Sequence, residues 1–390
     1  MTALFFIVLV DLIGFGIIIP LLPFYAEHFG ASPLEVGLVM AAYSAAQLIA
    51  APLWGRLSDR IGRRPVLLGT LVGMTAGSAA LAFADSLAAL FAVRIATGFM
   101  AGNISTAFAY VADITTPETR ARGMGVVGAA FGLGFIAGPA VGGILAGADP
   151  LAADFRTPAL AAAALSLLAA GLAWLRLPES LSIEARVAAR AAKGRLFAAW
   201  RDMLARPHLR WLVGLMFFAT FVFAGMESTF ALWSERQFGW GPEPNGYLFA
   251  AIGLLSAGIQ GGLVGRLATR FGERRLIPVG AFLLALGLAA VPFATSPALL
   301  VPAMLLAGAG FSLMSPALNS LISLQAATME RGGIMGLSRS AATLGRVLGP
   351  AWAGALFGLF GKDAPYAVGA VLMLALVVFA HRALARTNTQ

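Results

Sequence analysis

The sequence Gly55-Arg-Leu-Ser-Asp-Arg-Ile-Gly-Arg-Arg-Pro65 returns half a chain later as Gly265-Arg-Leu-Ala-Thr-Arg-Phe-Gly-Glu-Arg-Arg275. Both copies are basic, and each lies between two long apolar stretches of a 390-residue chain that is 59% hydrophobic. A basic, glycine-flanked segment that recurs at this period indicates two structurally similar halves, which is how many membrane transporters are built.

The rest of the chain is typical of a membrane protein. Only 12% of its residues are charged, and apolar runs of about 20 residues, the length that crosses the hydrocarbon layer, follow one another. The pattern predicts an all-α integral membrane protein with twelve transmembrane helices in two six-helix bundles. We expect the helices near 4–25, 33–54, 66–84, 87–112, 122–147, 157–177, 208–233, 244–264, 277–295, 297–322, 333–359 and 365–385. The predicted domains are 1–177 and 208–390, joined by a basic linker over 178–207.

The formal charge of +9 would suggest nucleic-acid binding in a soluble protein, but its distribution indicates a membrane topology. Of the 27 Lys and Arg residues, 21 lie in alternate loops or the C-terminal tail. The opposite loops hold only Arg156, Arg236 and Lys362. This asymmetry follows the positive-inside rule, so we expect both termini and the linker in the cytoplasm and no nucleic-acid partner.

Several kinds of chemistry are disfavoured by the residue inventory. The chain has no cysteine, and its three histidines are far apart in the sequence, so no metal site is expected. No phosphate-binding loop is present, and we therefore expect neither ATP nor another cofactor. Uphill transport would use an ion gradient or a separate subunit. Within the linker, residues 183–200 are compatible with an amphipathic helix on the membrane surface or with a flexible connection.

The first basic loop matches the pattern G-x-L-[SA]-D-R-x-G-R-[RK]-[PK] at every defined position. With the elements described below, it resembles the major facilitator superfamily, in particular its twelve-helix drug:proton antiporters, which include the tetracycline exporters. The resemblance implies a gate formed by Gly55, Asp59, Arg60, Gly62, Arg64, Asp113 and Arg120. We expect turns at Gly55 and Gly62, and Asp59 to accept hydrogen bonds at a neighbouring helix N-terminus. The alternative is that these charges only fix the topology.

The second copy of the loop has Thr269 in place of Asp59 and Glu273 in place of Arg63. We therefore expect the first loop to dominate gating. A second motif lies in predicted helix 5 and is similar to an element associated with exporters in this superfamily. Its glycines leave one helical face bare for close helix packing; the packing residues are Gly134, Gly138, Pro139, Gly142 and Gly143.

Ionisable residues inside predicted helices are candidates for proton coupling, because an unpaired charge in hydrocarbon is unfavourable. Asp11 belongs to a helix 1 element, and Arg94 to an R-x-x-x-G pattern, both similar to the drug exporters. Glu227 lies among aromatic residues of helix 7. Asp11 and Glu227 are the expected titrating groups, with Arg94 modulating one of them. Alternatively, either carboxylate forms a structural hydrogen bond and takes no part in proton coupling.

The resemblance also implies a cavity lined mainly by helices 1, 4, 7 and 10. Its expected lining residues are Asp11, Phe15, Asn103, Phe223, Glu227, Phe230 and Asn319. Two further arginines, Arg339 and Arg346, lie seven apart in helix 11, so they share roughly one face. They pair with internal carboxylates or receive an anionic substrate.

Together these observations predict a proton-coupled efflux antiporter that exports amphipathic drug-like molecules by alternating access. Its partners would be a small-molecule substrate, protons and the lipid bilayer. We expect a multi-pass protein of a bacterial inner membrane without enzymatic activity; the sequence leaves the oligomeric state open and favours a monomer. The alternatives are an exporter of endogenous organic anions, sugars or lipids, and a nontransporting receptor or scaffold.

Overall fold

The computed structural model describes residues 2–116, 119–182, 205–325 and 331–385. Within those ranges the regular structure is helical. The amphipathic stretch predicted at 183–200 lies outside the described residues.

The helices of the first half follow the predicted apolar runs. They are α1 Thr2–Ile18, α2 Leu22–His28, α3 Pro33–Ile61, α4 Arg63–Leu81, α5 Leu87–Met100, α6 Ile104–Asp113, α7 Arg120–Ala146 and α8 Arg156–Arg176. A short 3-10 turn joins α5 to α6, so these two form one span.

The helices of the second half repeat this arrangement. They are α9 Pro207–Phe238, α10 Pro242–Gly258, α11 Val264–Phe271, α12 Glu273–Ala290, α13 Pro297–Leu324, α14 Arg331–Phe360 and α15 Ala364–Ala385. A π-helical turn, Ile259–Leu263, joins α10 to α11.

All the predicted spans are helical in the structure. Over the described residues, nine helices are long and apolar enough to cross a membrane, or ten if the bent pair α1 and α2 counts as one span. The two remaining predicted spans, α4 and α14, contain two and three arginines respectively. The all-α membrane fold is therefore confirmed.

The basic loops are shorter than predicted. Helix α3 continues through Gly55 to Ile61, and the break is confined to Gly62, whose φ is 110°. The second copy breaks in the same way at Gly272, whose φ is 78°. Glycine reaches positive φ without the steric penalty of a Cβ. The turn predicted at Gly55 is therefore wrong, because a single glycine suffices to separate the two helices.

Asp154, in the loop directly before α8, stabilises the start of that helix. Its Oδ1 accepts hydrogen bonds from the backbone N–H groups of Arg156 at 2.8 Å and Thr157 at 3.0 Å. The Thr157 hydroxyl, followed by these backbone donors, lowers the pKa of Asp154. A carboxylate here satisfies amides that have no partner within the helix.

The chain divides into two compact units. Unit 1 consists of Met1–Ala31, Ala42–Lys193 and Gly239–Ala250, and unit 2 of Ser32–Ala41, Gly194–Phe238 and Ala251–Gln390. In unit 1, α1 packs against α7 and α8, and α4 packs against α8 and α5. In unit 2, α9 packs against α14, and α12 packs against α13 and α15.

Glycines bring the backbones of α1 and α7 together in unit 1. A Cβ built on Gly138 would lie 2.6 Å from the Cα of Gly16, and one on Gly134 would lie 2.6 Å from the Cβ of Leu12. Gly142 similarly contacts the carbonyl of Ile17. Any side chain at these positions would force the helices apart, as expected for small-residue packing in membranes.

Two other residues of the helix 5 motif contact α10. Gly143 faces the backbone of Pro242 and Glu243, and the carbonyl of Pro139 lies against Gly246. The equivalent pair in unit 2 is α9 and α14, where Gly345 approaches the carbonyl of Phe217.

Candidate functional site

Charged and hydroxyl side chains around Gly62 form one connected network in unit 1. We call it the basic-loop cluster, and its members are Ser58, Asp59, Arg63, Asp113, Glu179 and Ser180. Arg63 lies at its centre and is only 7% exposed. Its guanidinium forms ion pairs with Asp59 and, at 3.0 Å, with Asp113 at the end of α6. The same group donates to the Ser58 hydroxyl at 2.7 Å. Arg63 therefore joins the end of α3, the start of α4 and the end of α6.

Glu179, just beyond α8, completes this cluster. Its carboxylate accepts hydrogen bonds from the backbone N–H groups of Arg63 at 2.9 Å and Arg64 at 3.3 Å. These are the first amides of α4, so a negative charge here also meets the positive end of the helix dipole. Ser180 donates to Asp113 at 3.0 Å. The start of the predicted linker is thus attached to the basic loop.

The cluster differs from the predicted gate in its arginines. Arg63, which the sequence analysis did not select, binds Asp113, whereas Arg64 donates to the carbonyl of Trp174 at 2.7 Å and lies over its ring. Arg120 approaches the carbonyl of Ala112 at 3.4 Å. The helix restart at residue 63 directs Arg63 inward, so Arg63 joins the predicted gate residues Asp59 and Asp113. The contact described for Asp59 is Arg63 rather than a helix N-terminus.

Asp11 lies in α1, on the side that faces α8. Its carboxylate is close to the Ser166 hydroxyl, and its Oδ1 is buried without a hydrogen-bond partner. Gly14, one turn along, faces the same helix and would place a Cβ 3.6 Å from Ser166 Oγ. An unsatisfied carboxylate oxygen inside a membrane helix is expected to be protonated or hydrated.

Arg94 borders a small cavity inside unit 1. Its side chain is 6% exposed, and its guanidinium lies 4.3 Å from the ring centre of Tyr43 on α3. The ring of Phe15 stacks on the ring of Tyr43, with the ring centres 5.1 Å apart. Phe15 also contacts the ring of Phe135 edge to face, at 6.0 Å between centres. The remaining lining comes from α1, α4 and α5: Gly14, Ile18, Met74, Ser78, Leu81 and Thr97.

Asn103, predicted to line a substrate cavity, is instead 7% exposed. Its side-chain amide donates to Thr70 Oγ1 on α4 at 2.9 Å. This contact joins two helices of unit 1, so the residue supports packing. A polar residue in an apolar helix does not reveal by itself whether a neighbouring helix supplies its partner.

In unit 2, Glu227 lies two-thirds of the way along α9 and is half-buried. Arg346, near the middle of α14, is close enough to attract its carboxylate, although no ion pair within 4.0 Å joins them. Arg339 and Arg346 are both exposed and repel one another electrostatically. Exposed charges along a membrane helix require water or protein, since contact with lipid tails is unfavourable.

The other residues predicted to line a cavity in the second half have different surroundings. Phe223 is half-buried and stacks on Phe311 of α13 at 4.1 Å. Phe230 is fully buried and stacks near Trp233 of the same helix. Asn319 is half-buried on α13. Core packing of a large aromatic residue explains the burial of Phe230.

Comparison with known proteins identifies the family of this helical arrangement. The profile of the Major Facilitator Superfamily matches residues 4–326 and 261–390. The chain belongs to the major facilitator superfamily. It is accordingly a multi-pass membrane protein of a transporter family, as the sequence predicted.

Individual members of the superfamily are similar over nearly the whole chain. The tetracycline resistance protein, class C, of Escherichia coli is 33% identical, covering 88% of this chain and 86% of its own. Multidrug resistance protein 2 of Bacillus subtilis (strain 168) is 31% identical, covering 90% and 87%. The crystal structure of the human organic anion transporter MFSD10 (TETRAN) superposes with a TM-score of 0.74 at 29% identity, covering 97% and 98%. The predicted similarity to tetracycline exporters is thus confirmed.

Proposed function

We propose that this superfamily member is a proton-coupled antiporter that exports amphipathic small molecules by alternating access. The observation that carries the proposal is that each unit holds an ionisable carboxylate well inside a membrane helix, Asp11 in α1 and Glu227 in α9. Each lies in a largely apolar helix, where a carboxyl group can alternate between a neutral and a charged form. The names of the tetracycline and multidrug resistance relatives support export of drug-like compounds.

In the proposed cycle, protons enter from outside and substrate leaves from the cytoplasm of a bacterium. The basic loops and both termini lie on the cytoplasmic side, in keeping with the distribution of Lys and Arg. The proton gradient supplies the energy without ATP. Titration of Asp11 or Glu227 changes the charge inside a unit, and such a change can favour one conformation over the other.

The experiment uses purified protein in liposomes and a fluorescent amphipathic cation as the transported probe. Asp11→Asn keeps the size and much of the hydrogen bonding but cannot titrate. We expect it to abolish accumulation driven by a pH gradient while passive exchange survives. Asp85→Asn is the matched control, because Asp85 is exposed in the loop before α5. Accumulation by Asp11→Asn with unchanged pH dependence would show that Asp11 is structural.

Glu227→Gln tests the second carboxylate through substrate charge. We expect the affinity for cationic probes to fall about tenfold more than that for neutral probes of the same size, which is about 1.4 kcal/mol. The reason is that only the cation loses an ionic partner. An equal loss for both probes would assign Glu227 to proton coupling or to the shape of the site.

Export of organic anions is the second candidate function. It is supported by the exposed Arg339 and Arg346 on α14 and by the similarity to MFSD10, which is described as an organic anion transporter. Guanidinium groups are suited to carboxylates because they form two parallel hydrogen bonds. If anionic probes are transported and Arg346→Gln selectively removes that transport, this candidate replaces the first.

A further inference from the structure

Arg94 is a buried cation, and the residues that the structure describes around it include no anion. In the described part of the chain, no Asp or Glu oxygen lies within 4.0 Å of its guanidinium, and its Nε is buried with no hydrogen-bond partner. Its guanidinium lies over the face of the Tyr43 ring. A cation–π contact is worth roughly 0.5–2 kcal/mol, which is less than the several kcal/mol that burial of an unpaired ion costs. The described residues therefore give Arg94 no anionic partner.

The space beside Arg94 can receive a small group. The cavity measures about 20 Å³, somewhat above the roughly 10–15 Å³ that a single water requires. Ser78 and Thr97 contribute its other polar side chains, and the Thr97 hydroxyl already donates to the carbonyl of Val93 at 2.8 Å. The volume and the charge suit one carboxylate end or one halide.

Part of the cavity wall is aromatic. Tyr43 is almost fully buried beneath Arg94, while Phe15, stacked upon it, remains partly exposed. An apolar body attached to a carboxylate would thus find aromatic surface next to the cationic group. A halide would leave that surface unused.

We propose that this cavity in unit 1 is a binding subsite for the carboxylate of a small amphipathic organic anion, with Arg94 as the cationic partner and Phe15 against the apolar body. The physiological meaning of the subsite rests on the second candidate function above, export of organic anions, because the ligand would be part of the exported molecule. The binding itself requires neither a proton gradient nor transport.

The test measures binding of sodium benzoate to purified full-length protein in a chloride-free, low-salt buffer, by calorimetry and by thermal stabilisation. Benzamide is the neutral ligand of the same shape. We expect benzoate to bind at least tenfold more tightly than benzamide, and Arg94→Gln to remove that difference. Arg156→Gln is the matched control, because Arg156 also lies over an aromatic ring, that of Phe83 at 5.0 Å, but outside the cavity. It should bind benzoate as the unaltered protein does.

A second variant keeps the test decisive if Arg94→Gln does not fold. Ser78→Val fills part of the cavity and leaves Arg94 in place, so it should weaken benzoate binding at least tenfold. Unaltered benzoate binding by a folded Arg94→Gln or Ser78→Val protein would overturn the proposal. Equal affinity of the unaltered protein for benzoate and benzamide would overturn it as well. Chloride binding that depends on Arg94 without any benzoate binding would also reject an organic anion. Failure of proton-coupled export in liposomes is a separate result, since the binding assay uses no gradient.

Discussion

At Gly62 and at Gly272 the chain makes the same break between two helices, but the side chains around the two breaks interact differently. In the first copy, Arg63 forms ion pairs with Asp59 and Asp113. In the second copy, Glu273 stands in place of Arg63 and accepts a hydrogen bond from Ser320 at 3.0 Å, while Thr269 donates to the carbonyl of Arg266. The repeat thus preserves a backbone geometry that depends on glycine, whereas the charges on it differ.

The largest effect expected from this difference is on stability. Arg63→Gln should lower the free energy of unfolding in detergent by on the order of 2–3 kcal/mol, because it leaves Asp59 and Asp113 without their cation. The loss is below that of a fully buried pair, since the Asp59 side chain is 43% exposed. Glu273→Gln, at the matching position, should cost about 0.5–1 kcal/mol, the value of one hydrogen bond. Equal losses at both positions would mean that the two copies contribute alike.

Transport should distinguish the copies next. Asp59→Asn removes a partly exposed charge while Arg63 keeps its pair with Asp113, so the protein should fold and insert normally. We expect its transport rate in liposomes to fall at least tenfold, about 1.4 kcal/mol in the activation barrier. Thr269→Ala should remain within about twofold of the unaltered protein, a change of only about 0.4 kcal/mol. A normal rate for Asp59→Asn would reduce the first loop to a topological role.

The smallest effect concerns the carboxylate at the start of α4. Glu179→Gln should lower stability by about 0.5–1 kcal/mol, because a neutral amide oxygen still accepts a hydrogen bond but no longer interacts as a charge with the helix N-terminus. Asp149→Asn serves as its control, since Asp149 accepts a backbone hydrogen bond within a loop. Unfolding of both variants in detergent would be compared. If Asp149→Asn lowers the free energy of unfolding as much as Glu179→Gln does, a charge at the N-terminus of α4 contributes no more than one in a loop.

The sequence predicted the helices and the repeat well because both depend on local features. Apolar runs of membrane-spanning length define helices regardless of their neighbours, and a glycine that must adopt positive φ has few substitutes. The same argument failed at Gly55, where glycine fits equally well inside a helix. Helical propensity alone does not say which of two glycines supplies the break.

The side-chain contacts were harder to predict because they depend on which helices become neighbours. Four arginines lie between Gly55 and Pro65, and only the orientation of α4 determines that Arg63 reaches Asp113. Glu179 lies 116 residues from the amide that it binds. Its position directly after an apolar run and a proline was a possible signal. The burial of Asn103 likewise reflects a partner on another helix.

The glycine contacts between α1 and α7 have a consequence for how motion within unit 1 can be observed. Where Gly16 and Gly138 meet backbone to backbone, no flexible side chain lies between the helices to absorb a displacement. The two backbones should therefore move together, and their separation can serve as an internal ruler for spectroscopic distances. The chain contains no cysteine, so two introduced thiols would be the only sites of attachment for such probes.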